Sequence, residues 1–260
     1  MNILDKIVAE KQKEVELKKS ISPVKTLEHS IYFKMPCVSM KNAITDPKKS
    51  GIIAEFKRQS PSKGVINDKV DVEQVTTGYA EAGASALSVL TDFRFFGGEN
   101  ADLLAARKVN SIPILRKDFI ISEYQIIEAK STGADTILLI AAILDKKRVK
   151  TYAELAHNLG LQVLLEIHNK QELDVLCDTV DLAGVNNRNL KTFIVNIQTS
   201  IDLADKIPDE FIKISESGIS EPENIIELKK YGFQGFLMGE NFMKTQNPAK
   251  ACSDFIAKLK

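Results

Sequence analysis

The sequence has no tryptophan, only three cysteines and three histidines, and no excess of charge of either sign. Each shortage excludes something. Cys37, Cys177 and Cys252 are odd in number and far apart, so they have the spacing of neither a disulfide framework nor a zinc site. They read as reduced thiols of a cytoplasmic protein. Thirty-five basic residues offset 35 acidic ones, which removes the long-range field of a dedicated nucleic-acid binder. No run approaches the roughly 20 apolar residues of a membrane-spanning helix. The N-terminal stretch "MNILDKIVAEKQKEVELKK" also lacks the apolar centre of a secretory signal. A soluble, unprocessed chain is expected, acting on a small molecule, with no nucleic-acid or membrane partner and as a monomer or weak homo-oligomer.

What the sequence does have is a recurrent short aliphatic run. "GIIAEFK" from Gly51, "ALSVLTD" from Ala86, "IPILRKDF" from Ile112 and "TILLIAA" from Thr136 are four; "QVLLEIH" from Gln162, "LAGVNNR" from Leu182, "IKISESG" from Ile212 and "GFLMGEN" from Gly235 are four more. Between them lie stretches of helical spacing, such as those from Val72, Ser122 and Glu221, several closed by glycine. Ser220 with Glu223 reads as a capping box for the last of these. Continuous apolar strands alternating with helices imply a parallel sheet covered by helices. Eight such units across residues 51–260 fit a single closed (β/α)8 barrel better than a doubly wound sheet, for which no strand runs into a Gly-rich dinucleotide fingerprint. Residues 1–50 carry no βα unit. They read as an N-terminal helical extension packed on the barrel, with Ile3, Leu4, Ile7 and Val8 on the apolar face of a helix otherwise rich in Lys and Glu.

Active sites of such barrels lie at the C-terminal strand ends. Here those ends carry Glu55 and Lys57, Asp92, Lys117, Glu166 and His168, Asn186 and Arg188, Glu216 and Ser217, and Gly239 with Glu240. One charged strand end is a solvated terminus, and a lone Lys117 or Glu166 would be an ordinary ion-pair member. A ring of both signs is a preorganised polar site. Residues two apart share a strand face, so Glu55 with Lys57, and Asn186 with Arg188, point into the mouth together. Crowded Lys and Glu side chains shift one another's pKa values, which suits them to proton transfer. Phosphate sites of this fold sit after the seventh and eighth strands, which places Ser217, Gly218, Gly239 and Glu240 there, with the Glu240 side chain turned away and its N–H contributing. His168 has no metal-ligand neighbours and reads as a rim or packing residue; Asp92 reads equally as a substrate contact or a loop cap. No metal is expected.

"IIAEFKRQSPSKG" (52–64), "GASALSVLTD" (83–92), "FFGG" (95–98), "IPILRKDFI" (112–120), "GADTILLI" (133–140), "LLEIH" (164–168), "GVNNRNL" (184–190), "SESGI" (215–219) and "MGENFM" (238–243) together resemble indole-3-glycerol phosphate synthase. The resemblance spans the whole barrel in order and spacing. It implies a cofactor-free lyase that acts on a small phosphorylated, anthranilate-derived substrate, 1-(2-carboxyphenylamino)-1-deoxyribulose 5-phosphate, and closes the indole ring with loss of CO2 and water. It further implies Lys117 as general acid, Glu166 as its acid/base partner, and Lys57, beside Glu55, as a second proton donor near the phosphate. Asn186 and Glu216 would bind hydroxyls or position the acids, and Arg188 would orient carboxylates. Ser217, Gly218, Gly239 and Glu240 would cradle the phosphate and Ser60 the anthranilate carboxylate. Pro61, Phe96, Phe119, Leu138 and Leu190 would wall the aromatic ring. Asn189, where Asp is more usual, and "GENFM" for "GESLM" are minor departures. The residues themselves leave open another phosphate-binding barrel enzyme, such as a phosphoribosylanthranilate isomerase or a Schiff-base aldolase on Lys117, and a catalytically silent binding barrel.

Overall fold

Eight strands, nearly all of their residues buried, form the centre of the computed structural model, which describes residues 3–190 and 192–259. They are β1 (Ile52–Phe56), β2 (Ala86–Leu90), β3 (Ile114–Lys117), β4 (Thr136–Ile140), β5 (Gln162–Ile167), β6 (Leu182–Asn186), β7 (Ile212–Glu216) and β8 (Phe233–Met238). Each pairs in parallel with the next, and β8 closes on β1, giving the (β/α)8 barrel that the alternating pattern predicts. β3 starts two residues later than its apolar run, behind Pro113, which has no N–H to give a ladder. β8 starts two residues earlier, at Phe233.

Helices Val72–Glu81, Asn100–Val109, Glu123–Ser131, Lys146–Asn158, Gln198–Ala204, Pro222–Lys230 and Pro248–Ala257 cover the barrel. After β5 the cover is a 3-10 helix, Lys170–Val175. Residues facing outward from the strands, among them Ile52, Leu87, Ile137, Val163 and Phe236, pack with these helices into one apolar layer. The capping box expected at Ser220 and Glu223 is corrected by one residue. Pro222 fixes the first helical position, so Glu221 is the N-cap and its N–H donates to Asn224 Oδ1 at 3.1 Å.

The barrel interior is a second cluster, Ile53, Ala86, Leu115, Leu138, Ile140, Leu164, Leu182, Ile214 and Leu237, into which Met40 and Ile44 insert. Those two lie on a short helix, Met40–Thr45, capped by Ser39 and tied by its Lys41 N–H to Gln162 Oε1 at the start of β5. The N-terminal end of the barrel is thus plugged, and the polar mouth lies at the other end. A long helix, Ile3–Ile21, and a single turn, Val24–Leu27, precede it. The long helix buries Ile7, Lys11 and Val15, so a lysine lies among its inward residues. Among the described residues no helix is long and apolar enough to cross a membrane, and the three cysteines are free.

Candidate active site

The mouth of the barrel opens into a cavity of about 640 Å³. It is lined by Glu55, Lys57, Ser60, Pro61, Phe96, Lys117, Phe119, Leu138, Glu166, Asn186, Arg188, Leu190, Glu216, Ser217, Gly218, Gly239 and Glu240. The acids, bases, phosphate candidates and ring-wall residues named from the sequence therefore face one space, whereas Asp92 and His168, the other strand-end residues, are not among its lining residues. Ile3, Leu4 and Ile7 of the N-terminal helix line it too.

Strand register puts the charges at one level. Glu55 pairs with Ser88 across β1 and β2, Ile140 with Glu166 across β4 and β5, and Asn186 with Glu216 across β6 and β7. At the end of β3, Lys117 Nζ donates to Glu166 Oε2 at 2.7 Å and to Glu216 Oε2 at 2.9 Å. Lys57 Nζ donates to Glu55 Oε1 at 2.7 Å, and the hydroxyl of Ser88 holds the other Glu55 oxygen at 3.2 Å. Two lysine–glutamate units thus share the mouth. Burial alone would discharge Lys117, but Glu166, Glu216 and Glu55 outweigh it and hold the ammonium above its ordinary pKa. Glu166 and Glu216 share that one cation and part company. Burial raises both, yet Lys117 and His168 together pull Glu166 well below the carboxylate range. Glu216, buried and facing both Glu166 and Glu55, is pushed up to about 7 against the pull of Lys117. Its Oε1 has no hydrogen-bond partner among the described residues.

His168 is not at the rim. Its Nδ1 lies 3.1 Å from Glu172 Oε2 and its Nε2 stands 3.2 Å from Glu166 Oε1, at ion-pair range but off the line of a hydrogen bond. Burial disfavours its charge, but the two glutamates raise its pKa to about 10. It backs Glu166 as a cation. Asp92 takes the capping alternative: its Oδ1 accepts from Phe95 N at 2.8 Å. Asp118 turns out of the barrel to Arg116.

Among the phosphate candidates, Ser217 (φ 67°) and Gly218 (φ 76°) are consecutive residues of positive φ in the turn that leaves β7. Ser217 is not a glycine, and its place is fixed by Asn187, whose Nδ2 donates to the Ser217 carbonyl at 3.0 Å and to Ser215 Oγ at 2.9 Å. Asn187 escaped notice in the sequence because its side chain points away from the mouth; the second Asn of "VNNR", just past the strand end, was the available signal. The Glu240 side chain does not leave the site altogether. It stands at the rim, 3.4 Å from Arg188 Nη2 and 3.6 Å from Lys63 Nζ. Arg188 also donates to Ser62 Oγ at 3.2 Å, linking the loops after β1, β6 and β8. Ser60 lies on a two-stranded ribbon, Gln59–Ser60 with Gly64–Val65, too short to show a period in sequence. Across the cavity the Phe96 and Phe119 rings pack at 5.8 Å, tilted by 37°.

This arrangement offers a protonated lysine between two carboxylates of unequal basicity, a second lysine–glutamate pair, an apolar aromatic wall and a backbone turn suited to an anion. The sequence matches the family model described as "Indole-3-glycerol phosphate synthase" over residues 4–255. It is 47% identical over 258 residues to the indole-3-glycerol phosphate synthase of Bacteroides thetaiotaomicron, covering 99% of each chain. It is 41% identical to that of Thermoanaerobacter pseudethanolicus, covering 99% of this chain and 98% of the relative. Among solved structures, a chain of the tryptophan synthase complex of Pyrococcus furiosus superposes with a TM-score of 0.60 at 16% identity, over 81% of this chain and 98% of that one, a likeness of fold alone. The chain belongs to the indole-3-glycerol phosphate synthase family.

Proposed function

We propose that the ring closure of 1-(2-carboxyphenylamino)-1-deoxyribulose 5-phosphate, the decarboxylating reaction of this family, is run here by Lys117 as general acid, with Glu166 and Glu216 setting its charge and Lys57 with Glu55 as a second proton-transfer pair. The observation that carries this reading is the placement of Lys117 Nζ between Glu166 and Glu216, at 2.7 and 2.9 Å. Attack of the aromatic carbon on the substrate ketone turns a carbonyl oxygen into a hydroxyl, which needs a proton at that atom. Lys117 is held protonated and delivers it. Loss of CO2 returns electrons to the ring. Dehydration then needs one group to protonate the leaving hydroxyl and another to take the ring proton, roles that the Lys57–Glu55 pair and Glu216 take in this reading. A Schiff base would require Lys117 to be neutral, which its two carboxylates oppose.

The anthranilate ring lies between Phe96 and Phe119 on one side and Pro61, Leu138 and Leu190 on the other, with its carboxylate toward Ser60. The phosphate sits on the N–H groups of Ser217, Gly218, Gly239 and Glu240, with Lys57 and Arg188 nearby, and Asn186 binds a sugar hydroxyl. Reduced thiols and this metabolic role suit a cytoplasmic setting. The test is turnover of the substrate to an indole product. Product fluorescence rises on a low background, because the chain has no Trp. Lys117→Met lowers kcat at least ~100-fold, as loss of a positioned general acid does; near-parental turnover in that variant removes Lys117 from the role.

A further inference from the structure

The N-terminal helix brings a buried charge against the loops at the mouth of the barrel. Lys11 is 1% exposed, and its Nζ lies 2.8 Å from Asp92 Oδ2, 2.9 Å from Asp118 Oδ1 and 2.8 Å from Glu14 Oε2. Asp92 ends β2 and Asp118 follows β3, so one ammonium ties together two neighbouring strand-to-helix loops. Each aspartate uses its remaining bonds to fix a loop that carries a wall of the cavity. Asp92 Oδ1 accepts from Phe95 N and caps the single helical turn that ends in Phe96. Asp118 Oδ1 accepts from Phe119 N at 2.8 Å, and its Oδ2 takes Thr91 Oγ1 at 2.7 Å and Arg116 Nη2 at 3.0 Å. The two rings so placed are the pair packed at 5.8 Å, and the residue before Asp118 is Lys117.

We propose that Lys11 is a positioning residue: through Asp92 and Asp118 it sets the spacing of the Phe96 and Phe119 loops, and with it the slot for the aromatic half of the substrate and the aim of Lys117. The inference rests on the site reading above. A lysine buried this deeply is costly unless its charge is met, and here it is met by carboxylates from the two loops, not by solvent. The same helix lays Ile7, one turn before Lys11, along the cavity. An apolar residue at position 11 would fill the space but leave Asp92 and Asp118 facing each other unbridged, with Arg116, which also holds Glu128, reaching Asp118 but not Asp92.

A purely structural ion pair would also be missed, so the test separates the two roles. Lys11→Met and the charge-compensated double variant Lys11→Met with Asp92→Asn are assayed well below their melting temperatures. The double variant is expected to regain most of the parental Tm, because the unbalanced buried carboxylate is gone. Its kcat is expected to stay down by about tenfold or more, a size consistent with a small misplacement of reacting groups. Lys11→Arg, which keeps the cation, is expected to recover part of that kcat. The loss should be the same factor for the natural substrate and for its dephosphorylated analogue, because the aromatic slot and not the phosphate turn is disturbed. Recovery of both Tm and kcat in the double variant, or parental kcat and KM in Lys11→Met, overturns the proposal and leaves Lys11 a stabilising ion pair. Lys117→Met, run alongside, keeps this outcome apart from failure of the site reading: retained turnover there removes the site assignment itself.

Discussion

Gly184 of β6 faces the carboxylate of Glu216: a Cβ on that glycine would lie 2.4 Å from Glu216 Oε1 and 3.1 Å from Leu164 Cδ1. Glu166 pairs with Gly184 on one side and β7 carries Glu216 on the other. The missing side chain is the space in which Glu216 reaches Lys117. Gly184→Ala is therefore expected to fold, because the clashing oxygen is the far end of a flexible side chain, and to push Glu216 off Lys117. The expected loss in kcat is about 10- to 100-fold, the range a misplacement of about an ångström produces. Steady-state kinetics check it. Parental kcat in this variant would mean that the Lys117–Glu216 contact is dispensable.

The same contact fixes a titration. Glu216 is pushed up to about 7, first by burial and then by the like charges of Glu166 and Glu55. Glu166→Gln removes one of those charges and frees more of Lys117 for Glu216; both changes favour the ionised form, so the Glu216 pKa falls. Carbon-13 NMR of glutamate carboxyl groups reads this directly. A Glu216 midpoint that stays put in Glu166→Gln would show that the two carboxylates do not share the lysine.

His168 should govern part of the pH dependence of stability. Its pKa is raised from 6.5 to about 10 by Glu166 and Glu172 against the effect of burial. The folded state then holds a proton that the unfolded state has released. The stabilisation is fully present below pH 6.5 and lost as pH rises through about 10. Denaturant unfolding across that interval is expected to show a falling stability in the parent and a flatter profile in His168→Gln. Parallel profiles would mean that His168 is neutral in the folded protein.

The strand-end acids and bases were legible because the barrel itself was legible: buried strands read as continuous apolar runs, and the fold assigns chemistry to their C-terminal ends. Lys117, Glu166 and Glu216 could thus be gathered without a structure. Lys11 could not, because in "AEKQKEVELKK" it is one lysine among several on an amphipathic helix, and nothing local distinguishes the one that meets Asp92 and Asp118. Arg116 escaped for a related reason. Its side chain alternates outward from β3 and is wholly buried against Glu128 and Asp118, where strand period alone leads one to expect an apolar residue. Gly184 was invisible as well, since the need for a hydrogen there arises only once β5, β6 and β7 are in register.

The two glycines assigned to the phosphate separate into different kinetic classes. At Gly218, φ is 76° and an added Cβ would meet Val195 Cγ1 at 2.5 Å, with no acid or base nearby. At Gly239 the same carbon would meet Glu55, at 2.8 Å from Oε1 and 2.9 Å from Cβ, and so disturb the Lys57–Glu55 pair. If both N–H groups hold the phosphate, Gly218→Ala should mainly raise KM, as expected for binding made equally in ground and transition states, whereas Gly239→Ala should raise KM and lower kcat together. A dephosphorylated analogue, a poor substrate for the parent, isolates the anion. With it the Gly218→Ala penalty should largely vanish, while the kcat loss of Gly239→Ala should persist, because that part comes from Glu55. A folded Gly218→Ala variant with parental KM for the phosphorylated substrate would move the phosphate away from the turn after β7. Equal kcat in the two variants would show that Glu55 tolerates displacement, and the second proton-transfer role would then fall to Lys57 alone.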